Sequence, residues 1–375
     1  MRPSNARFFS APGRVEIGGN HTDHQRGRVL AAAIGLEIAA TAGANGSDIV
    51  MIHYDIFGAD QVSLGNLEID HSEKGTSASL VRGVAAWFAN HGYAIGGFNA
   101  RITTNIPIGA GLSSSAAYAV LIGNIFKGLF GAEISPIEIA QAGQYAENVH
   151  FGKPCGLMDQ VASSYGGLNV IDFADLLRPI VTPVRAEFPG YSMCIVDTGG
   201  SHADLTADYA ACGIEMKAIA AHFGKEYLRD VCAEEFYSSI SALRHLGDRA
   251  ILRAIHFFGE HERVLKQASA LESGDTRAFM ALVIESGRSS LAYLQNVYSP
   301  ASPQQQGLTL ALALSERVLA GVGAWRVHGG GFAGTILAFV PDGLKQEYSR
   351  QLGNVFGEAR CHFLNIRDKG GGETE

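Results

Sequence analysis

Cysteine is scarce in this 375-residue sequence. Cys155, Cys194, Cys212, Cys232 and Cys361 are odd in number and include no CxxC pair. That argues against a disulfide framework and a structural zinc site, and for free or buried thiols in a reducing compartment. An excess of basic charge is lacking too: 29 Lys and Arg stand against 37 Asp and Glu, a formal charge of −8. Nucleic-acid backbones want clustered cations, so that class of partner is not expected, and an anionic ligand must be met by local donors. Long apolar runs are missing; VLAAAIGLEIAATAGA from Val29 is broken by Glu37 and by glycine. The opening MRPSNARFFSAPGR has no apolar signal-peptide segment, so the expected location is cytoplasmic, without a membrane partner.

What is present is ordinary for a packed protein, with 47% hydrophobic and 18% charged residues. The length suggests two domains of roughly 150 residues or more. VLAAAIGLEIAATAG, DIVMIHYD and FNARITTNI read as strands and SSSAAYAVLIGNIFKGLF as a buried helix. Ser135-Pro136-Ile137-Glu138 places a cap, a first-turn proline and a capping-box glutamate at the start of a second helix, which Gly152 ends. GLNVIDF and YSMCIVDTG follow as strands, then helices from about 203 to 320, strands at WRVHGGG and GTILAFV, a helix at DGLKQEYSRQLGNVF and a strand at ARCHFLNI. The low-complexity tail KGGGETE is expected to fray. A division near residue 185 gives two α+β halves, 1–185 and 186–375.

Three stretches could carry chemistry. Asn20-His21-Thr22-Asp23-His24 can be taken as a glycosylation acceptor, a metal site or a reader of hydroxyls. The sequon means nothing in a chain that is not secreted, and a contiguous H-x-D-H run lacks the helical His spacing of metal hydrolases, which favours the reader of hydroxyls. Ile106 to Ala117, IPIGAGLSSSAA, joins a strand to an apolar helix with small residues and three serines. It can cradle a polyphosphate on free helix N–H groups, or simply cap a core helix; it is neither a Walker loop nor a GxGxxG turn. Val327 to Gly334, VHGGGFAG, suggests a second backbone-lined wall of a cleft. Glu147 and Asp159 are carboxylates that are either buried acceptors or functional groups, and Arg14, after an Ala-Pro-Gly turn, is a partner for an acid or a phosphate.

In this order, APGRVEIGGNHTDH, PIGAGLSSSAA and HGGGFAGT resemble the GHMP small-molecule kinase superfamily. The first is similar to the galactokinase signature GRVNLIGEHTDY, and CGLMDQ around Asp159 and VDTGGSHADLTADY also resemble that branch. The resemblance implies an α+β, two-domain GHMP kinase fold. Its N-terminal domain would be like ribosomal protein S5 domain 2 and its C-terminal domain ferredoxin-like, with the site between them. ATP would lie against Gly109, Ala110, Gly111, Leu112, Ser113, Ser114 and Ser115, with Ser115 and Glu147 as hard oxygen ligands of Mg²⁺. Asp159 would be the base on the sugar C1 hydroxyl, and Arg14 would stabilise the transferring phosphoryl. Asn20, His21, Thr22, Asp23, Gly156 and Tyr209 would contact the sugar.

Two departures bear on the substrate. Asn20 stands where the signature has a Glu that accepts from the 6-hydroxyl, and His24 where it has Tyr. An amide both donates and accepts, so a 6-hydroxyl remains readable while a 6-carboxylate is no longer repelled. Galactose is the leading substrate; galacturonate follows if Arg26 or Arg28 reaches the site, and N-acetylated or 6-deoxy relatives come next. A non-catalytic sugar sensor would have a damaged phosphate loop or base, whereas SSSAA and MDQ are intact. Oligomeric state is not legible.

Overall fold

The computed structural model describes residues 6–55, 58–107, 111–200 and 205–374. Its strands are β1 (Arg7–Gly18), β2 (Arg28–Ala44), β3 (Ile49–Tyr54), β4 (Gly58–Ser63), β5 (Phe98–Thr104), β6 (Leu168–Asp172), β7 (Ile180–Pro183), β8 (Tyr191–Asp197), β9 (Ala324–Val327), β10 (Thr335–Pro341), β11 (Cys361–Leu364) and β12 (Gly372–Thr374). The helices are α1 (Ser77–Asn90), α2 (Ser114–Phe130), α3 (Pro136–Tyr145), α4 (Met158–Tyr165), α5 (Thr206–His222), α6 (Ala233–Ser238), α7 (Ile240–Leu243), α8 (Asp248–Glu272), α9 (Thr276–Ser289), α10 (Gly307–Leu319) and α11 (Lys345–Phe356). Among the described residues no helix is long and apolar enough to cross a membrane.

One sheet runs β12-β1-β2-β5-β3-β4, with β6 and β7 beside the start of β2; the other runs β11-β8-β10-β9. β2 organises the first sheet because its two halves serve different neighbours. Arg28–Ala32 pair with β6, and Ile38–Ala44 pair with β5. Val29 to Ile34 are completely covered, as a continuous apolar run should be when both faces are packed, whereas the second half is partly exposed. α2 is apolar all round from Ala116 to Ile122 and is buried accordingly. The main core joins Phe9, Phe88, Phe98 and Phe126 of the first half to Phe279 and Phe339 of the second.

The capping box at Ser135 forms as the sequence predicts: its hydroxyl accepts from Glu138 N, and the Glu138 carboxylate accepts from Ser135 N at 2.9 Å. The helix then widens into a turn of π-helix, Ala146–Phe151, before Gly152 closes it at φ 78°.

Two expectations need correction. Ala11, Pro12 and Gly13 make no turn; they lie inside the twelve-residue β1, whose register slips between Pro12 and Arg14 and again between Glu16 and Gly18. The tail does not fray, because Gly372–Thr374 pair with Phe8–Ser10 as β12. This strand also takes the chain's last residues back to the first sheet, across the line drawn near residue 185.

Candidate active site

The first bulge of β1 sets Arg14 apart from the regular pleat, and such slips commonly re-aim a side chain. The guanidinium is nearly buried and grips Asp159 with two bonds, Nε to Oδ1 at 2.6 Å and Nη2 to Oδ2 at 2.9 Å. Nη1 donates to Gly111 O at 2.7 Å, and the Arg14 backbone N–H to Leu112 O at 3.3 Å. One residue thus ties the strand, the serine-rich loop and the first turn of α4 together. Ser113 also donates to Asp159 Oδ2. Burial pushes the Asp159 carboxyl upward, but the charge and hydrogen bonds of Arg14, with the Ser113 hydroxyl, hold it below the ordinary carboxylate value.

Gly111 and Ser113 both have left-handed backbone, at φ 67° and 58°, and Ser113 is the residue before α2. A strained non-glycine residue beside a helix N-terminus marks a built turn. Leu112 is buried, while Ser114 and Ser115, in the first helical turn, keep partial exposure. Gly109 and Ala110 lie outside the described residues. Glu147 sits in the π turn, 2% exposed, and its Oε1 has no hydrogen-bond partner among the described residues. A buried carboxylate oxygen without a donor fits a cation or an ordered water.

At the other end of the cleft, Asp23 lies over Gly156 so closely that a Cβ there would be 1.9 Å from Asp23 Oδ2. Burial raises the Asp23 carboxyl, His21 opposes that rise, and Asp159 is near enough to add to it. The other signature residues are turned inward. Thr22 is fully buried, and its hydroxyl closes the loop onto Gly19 O and Arg28 O at 2.9 and 2.6 Å. Asn20 is fully buried, with Nδ2 donating to Glu16 and Gly329 O, and Oδ1 accepting from Ser290 and Asn296. All four hydrogen-bonding sites of the Asn20 amide are taken up within the protein, and the single Thr22 hydroxyl proton is held by backbone carbonyls.

His21 reaches Gly330 O with Nε2 at 2.8 Å, and a carbonyl can only accept. The rest of the chain of bonds follows. His21 Nδ1 accepts from His24 Nε2 at 3.3 Å, and His24 Nδ1 accepts from Gln25 Nε2 at 3.4 Å. Both rings are neutral: burial lowers His21 to about 3 and His24 to about 4. Tyr209, on α5, donates to Gly331 O at 3.0 Å and packs on Gly330.

The glycine turn after β9 packs against these residues. His328 accepts from Glu16 N at 3.1 Å and bonds Thr335 Oγ1 at 3.0 Å, while a Cβ on Gly111 would lie 2.8 Å from that same Thr335 oxygen. The two glycine-rich segments are therefore in contact. Sequence reasoning passed over Glu16, Asn296, His328 and Arg326. A local signal existed for Glu16, a charged residue two places from Arg14 in an otherwise apolar strand. Arg26 and Arg28 stand away from the cleft, Arg26 over the Tyr227 ring and Arg28 on Asp172 at 2.8 Å.

A strand-to-helix serine loop, a bidentate Arg–Asp pair and an apposed glycine turn define an ATP-using small-molecule kinase. Consistently, the profile of the GHMP kinases N terminal domain matches residues 79–167, and a mevalonate kinase structure shares the fold (TM-score 0.67, 16% identity, covering 96% of this chain and 99% of that one). The chain belongs to the galactokinase family. It is 31% identical to galactokinase from Actinobacillus pleuropneumoniae serotype 5b (strain L20), covering 93% of this chain and 88% of that one, and 34% identical to that from Haemophilus influenzae (strain ATCC 51907 / DSM 11121 / KW20 / Rd), covering 88% and 84%. The galactokinase galactose-binding signature matches residues 2–44. Lactococcus lactis galactokinase, solved with galactose, superposes with a TM-score of 0.84 at 25% identity, covering 99% of this chain and 95% of that one. The protein is accordingly a sugar kinase, a phosphotransferase using ATP.

Proposed function

We propose that this kinase transfers the γ-phosphoryl group of ATP to the C1 hydroxyl of galactose. The observation that carries the reading is the Arg14–Asp159 pair, fixed between the serine loop and Asp23. Asp159, held ionised by Arg14, accepts the bond of the C1 hydroxyl and takes its proton as the phosphorus–oxygen bond forms. Phosphoryl transfer asks for alignment and charge neutralisation more than for a strong base, so a carboxylate of low basicity suffices. Three of the five guanidinium N–H groups of Arg14 are engaged, which leaves two for the phosphoryl oxygens. The α2 N-terminus adds a partial positive charge of roughly half a unit at Ser113 to Ser115.

Glu147, with its unpaired buried oxygen, and Ser115 would hold Mg²⁺, which supplies charge neutralisation on the nucleotide phosphates. Asp23, Gly156 and Tyr209 are the sugar-side residues in this reading, with His21 holding the wall behind them. Galacturonate loses its support, since Arg26 and Arg28 are committed elsewhere. A division of the chain near residue 185 and a cytoplasmic location belong to the same proposal; the five free thiols suit a reducing compartment.

The test is ATP- and Mg²⁺-dependent phosphorylation of galactose, galacturonate, N-acetylgalactosamine, glucose, arabinose and fucose, followed by mass spectrometry with the phosphate position set by NMR. Galactose 1-phosphate formed with the highest kcat/KM supports the reading. Another sugar winning, or phosphate at another position, overturns it.

A further inference from the structure

The carbonyls of three successive glycines are each held by side chains. Gly329 O accepts from Asn20 at 2.6 Å, Gly330 O from His21 at 2.8 Å and Asn296 at 3.1 Å, and Gly331 O from Tyr209 at 3.0 Å. The turn cannot shift without breaking several of these bonds. Its backbone depends on them, because Gly329, Gly331 and Phe332 all have positive φ.

Glu16 and the Gly329 carbonyl together hold the Asn20 amide nitrogen. Glu16 Oε1 accepts from Asn20 Nδ2 at 3.1 Å and from Arg326 Nη2 at 2.8 Å, and Arg326, wholly buried on β9, also donates to Ile17 O at 2.7 Å. The Gly329 carbonyl can only accept, so the amide nitrogen points to Glu16 and Gly329 and its oxygen to Ser290 and Asn296. A carboxylate at position 20 would set two acids side by side in a buried site and leave Gly329 O without its donor. The signature GRVNLIGEHTDY has Asn and Glu at the places where this chain has Glu16 and Asn20, so the two residue types are exchanged here and one buried acid is kept.

We propose that Glu16 and Asn20 are an interlocked pair of positioning residues. They hold the 329–331 turn against Tyr209 and the sugar end of the site, and neither touches the sugar, which is left to Asp23, Asp159, Tyr209 and the Gly156 backbone. The inference rests on the reading of this cleft as a sugar kinase site.

The experiment uses the full chain with Asn20→Ala, Glu16→Gln, Glu16→Asn, Asn20→Glu and the double exchange Glu16→Asn/Asn20→Glu. For galactose and its 2-, 3-, 4- and 6-deoxy derivatives, kcat/KM is measured, together with the dissociation constant by calorimetry in the presence of a non-hydrolysable ATP analogue. A positioning role predicts that Asn20→Ala and Glu16→Gln weaken every sugar by the same factor, within about twofold. A residue that reads one hydroxyl does otherwise: its loss disappears for the sugar lacking that hydroxyl, and that result for either variant overturns the proposal. The double exchange is expected to recover at least about tenfold over the product of its two single effects; strictly additive effects would refute the interlock. If Asn20→Ala does not fold, Glu16→Gln, which keeps shape and a hydrogen-bonding end, carries the same comparison. Sugar binding without phosphoryl transfer would remove the kinase reading and leave the comparison standing, whereas binding of no sugar in the series overturns both.

Discussion

Gly156 and Asp23 are fitted to each other: the carboxylate occupies the space a side chain at position 156 would need, with 1.9 Å between Oδ2 and the place of a Cβ. Gly156→Ala must push Asp23 aside. Overpacking of this kind costs about 1–3 kcal/mol, equivalent to roughly 5- to 150-fold in affinity if it falls on sugar binding. The expected outcome is a rise of that size in the KM for sugar with the KM for ATP nearly unchanged, read from steady-state kinetics with each substrate varied.

Asp159→Asn keeps the shape of the side chain and removes its charge opposite Arg14. Turnover should fall on the order of 10²–10⁴-fold, while calorimetry still detects sugar binding. Near-normal kcat would show that Asp159 does not take the proton. Because Asp159 ionises below the ordinary carboxylate value, the acid limb of the kcat profile should not come from this group at neutral pH.

Glu147→Gln tests the metal assignment without touching the sugar. The Mg²⁺ concentration giving half-maximal rate should rise at least roughly tenfold, with the sugar KM at saturating Mg²⁺ little changed. An unaltered Mg²⁺ dependence would place the ion elsewhere.

The buried histidines make stability depend on pH. His21, His24 and His261 are lowered to about 3, 4 and 4, chiefly by burial, and His256 and His328 are lowered by the same cause. The unfolded rings bind protons near 6.5, so these contributions are complete above that pH and are lost as pH falls through the folded values. Glu16 acts in the opposite sense. Burial raises it to about 7 from 4.5, so its contribution is complete below 4.5 and is lost as pH rises through 7. The histidines outnumber the two raised acids, Glu16 and Asp23, and urea midpoints measured between pH 7 and 4.5 should fall with acidification. They should fall more steeply in Glu16→Gln; a midpoint independent of pH would mean that the rings are charged in the folded chain.

Local chemistry was readable where it is self-contained. The capping box at Ser135, the stop at Gly152 and the fully apolar α2 follow from spacing alone. β1 did not follow, because Pro12 and Gly13 punctuate the sequence like a turn, yet a bulge absorbs them within a strand. Asn20 shows the limit in the site. Its polarity announces hydrogen bonds, but its partners Ser290, Asn296 and Gly329 lie far away in the chain, and only the fold says that they exhaust the amide. Arg14 and Asp159, 145 positions apart, could be paired beforehand only through family resemblance. The glycines of the tail read as disorder but serve close approach: a Cβ on Gly370 would fall 2.1 Å from Ser164 O.

The strand formed by Gly372–Thr374 completes the edge of β1, and Arg7 is ion-paired with Glu373 across 366 positions. Closing so long a loop is slow compared with local pairing. During synthesis the outer edge of β1 must therefore stand open until almost every other described element has emerged, exposing strand backbone to other chains. Trimming a few residues after Asp368 would prolong that interval indefinitely.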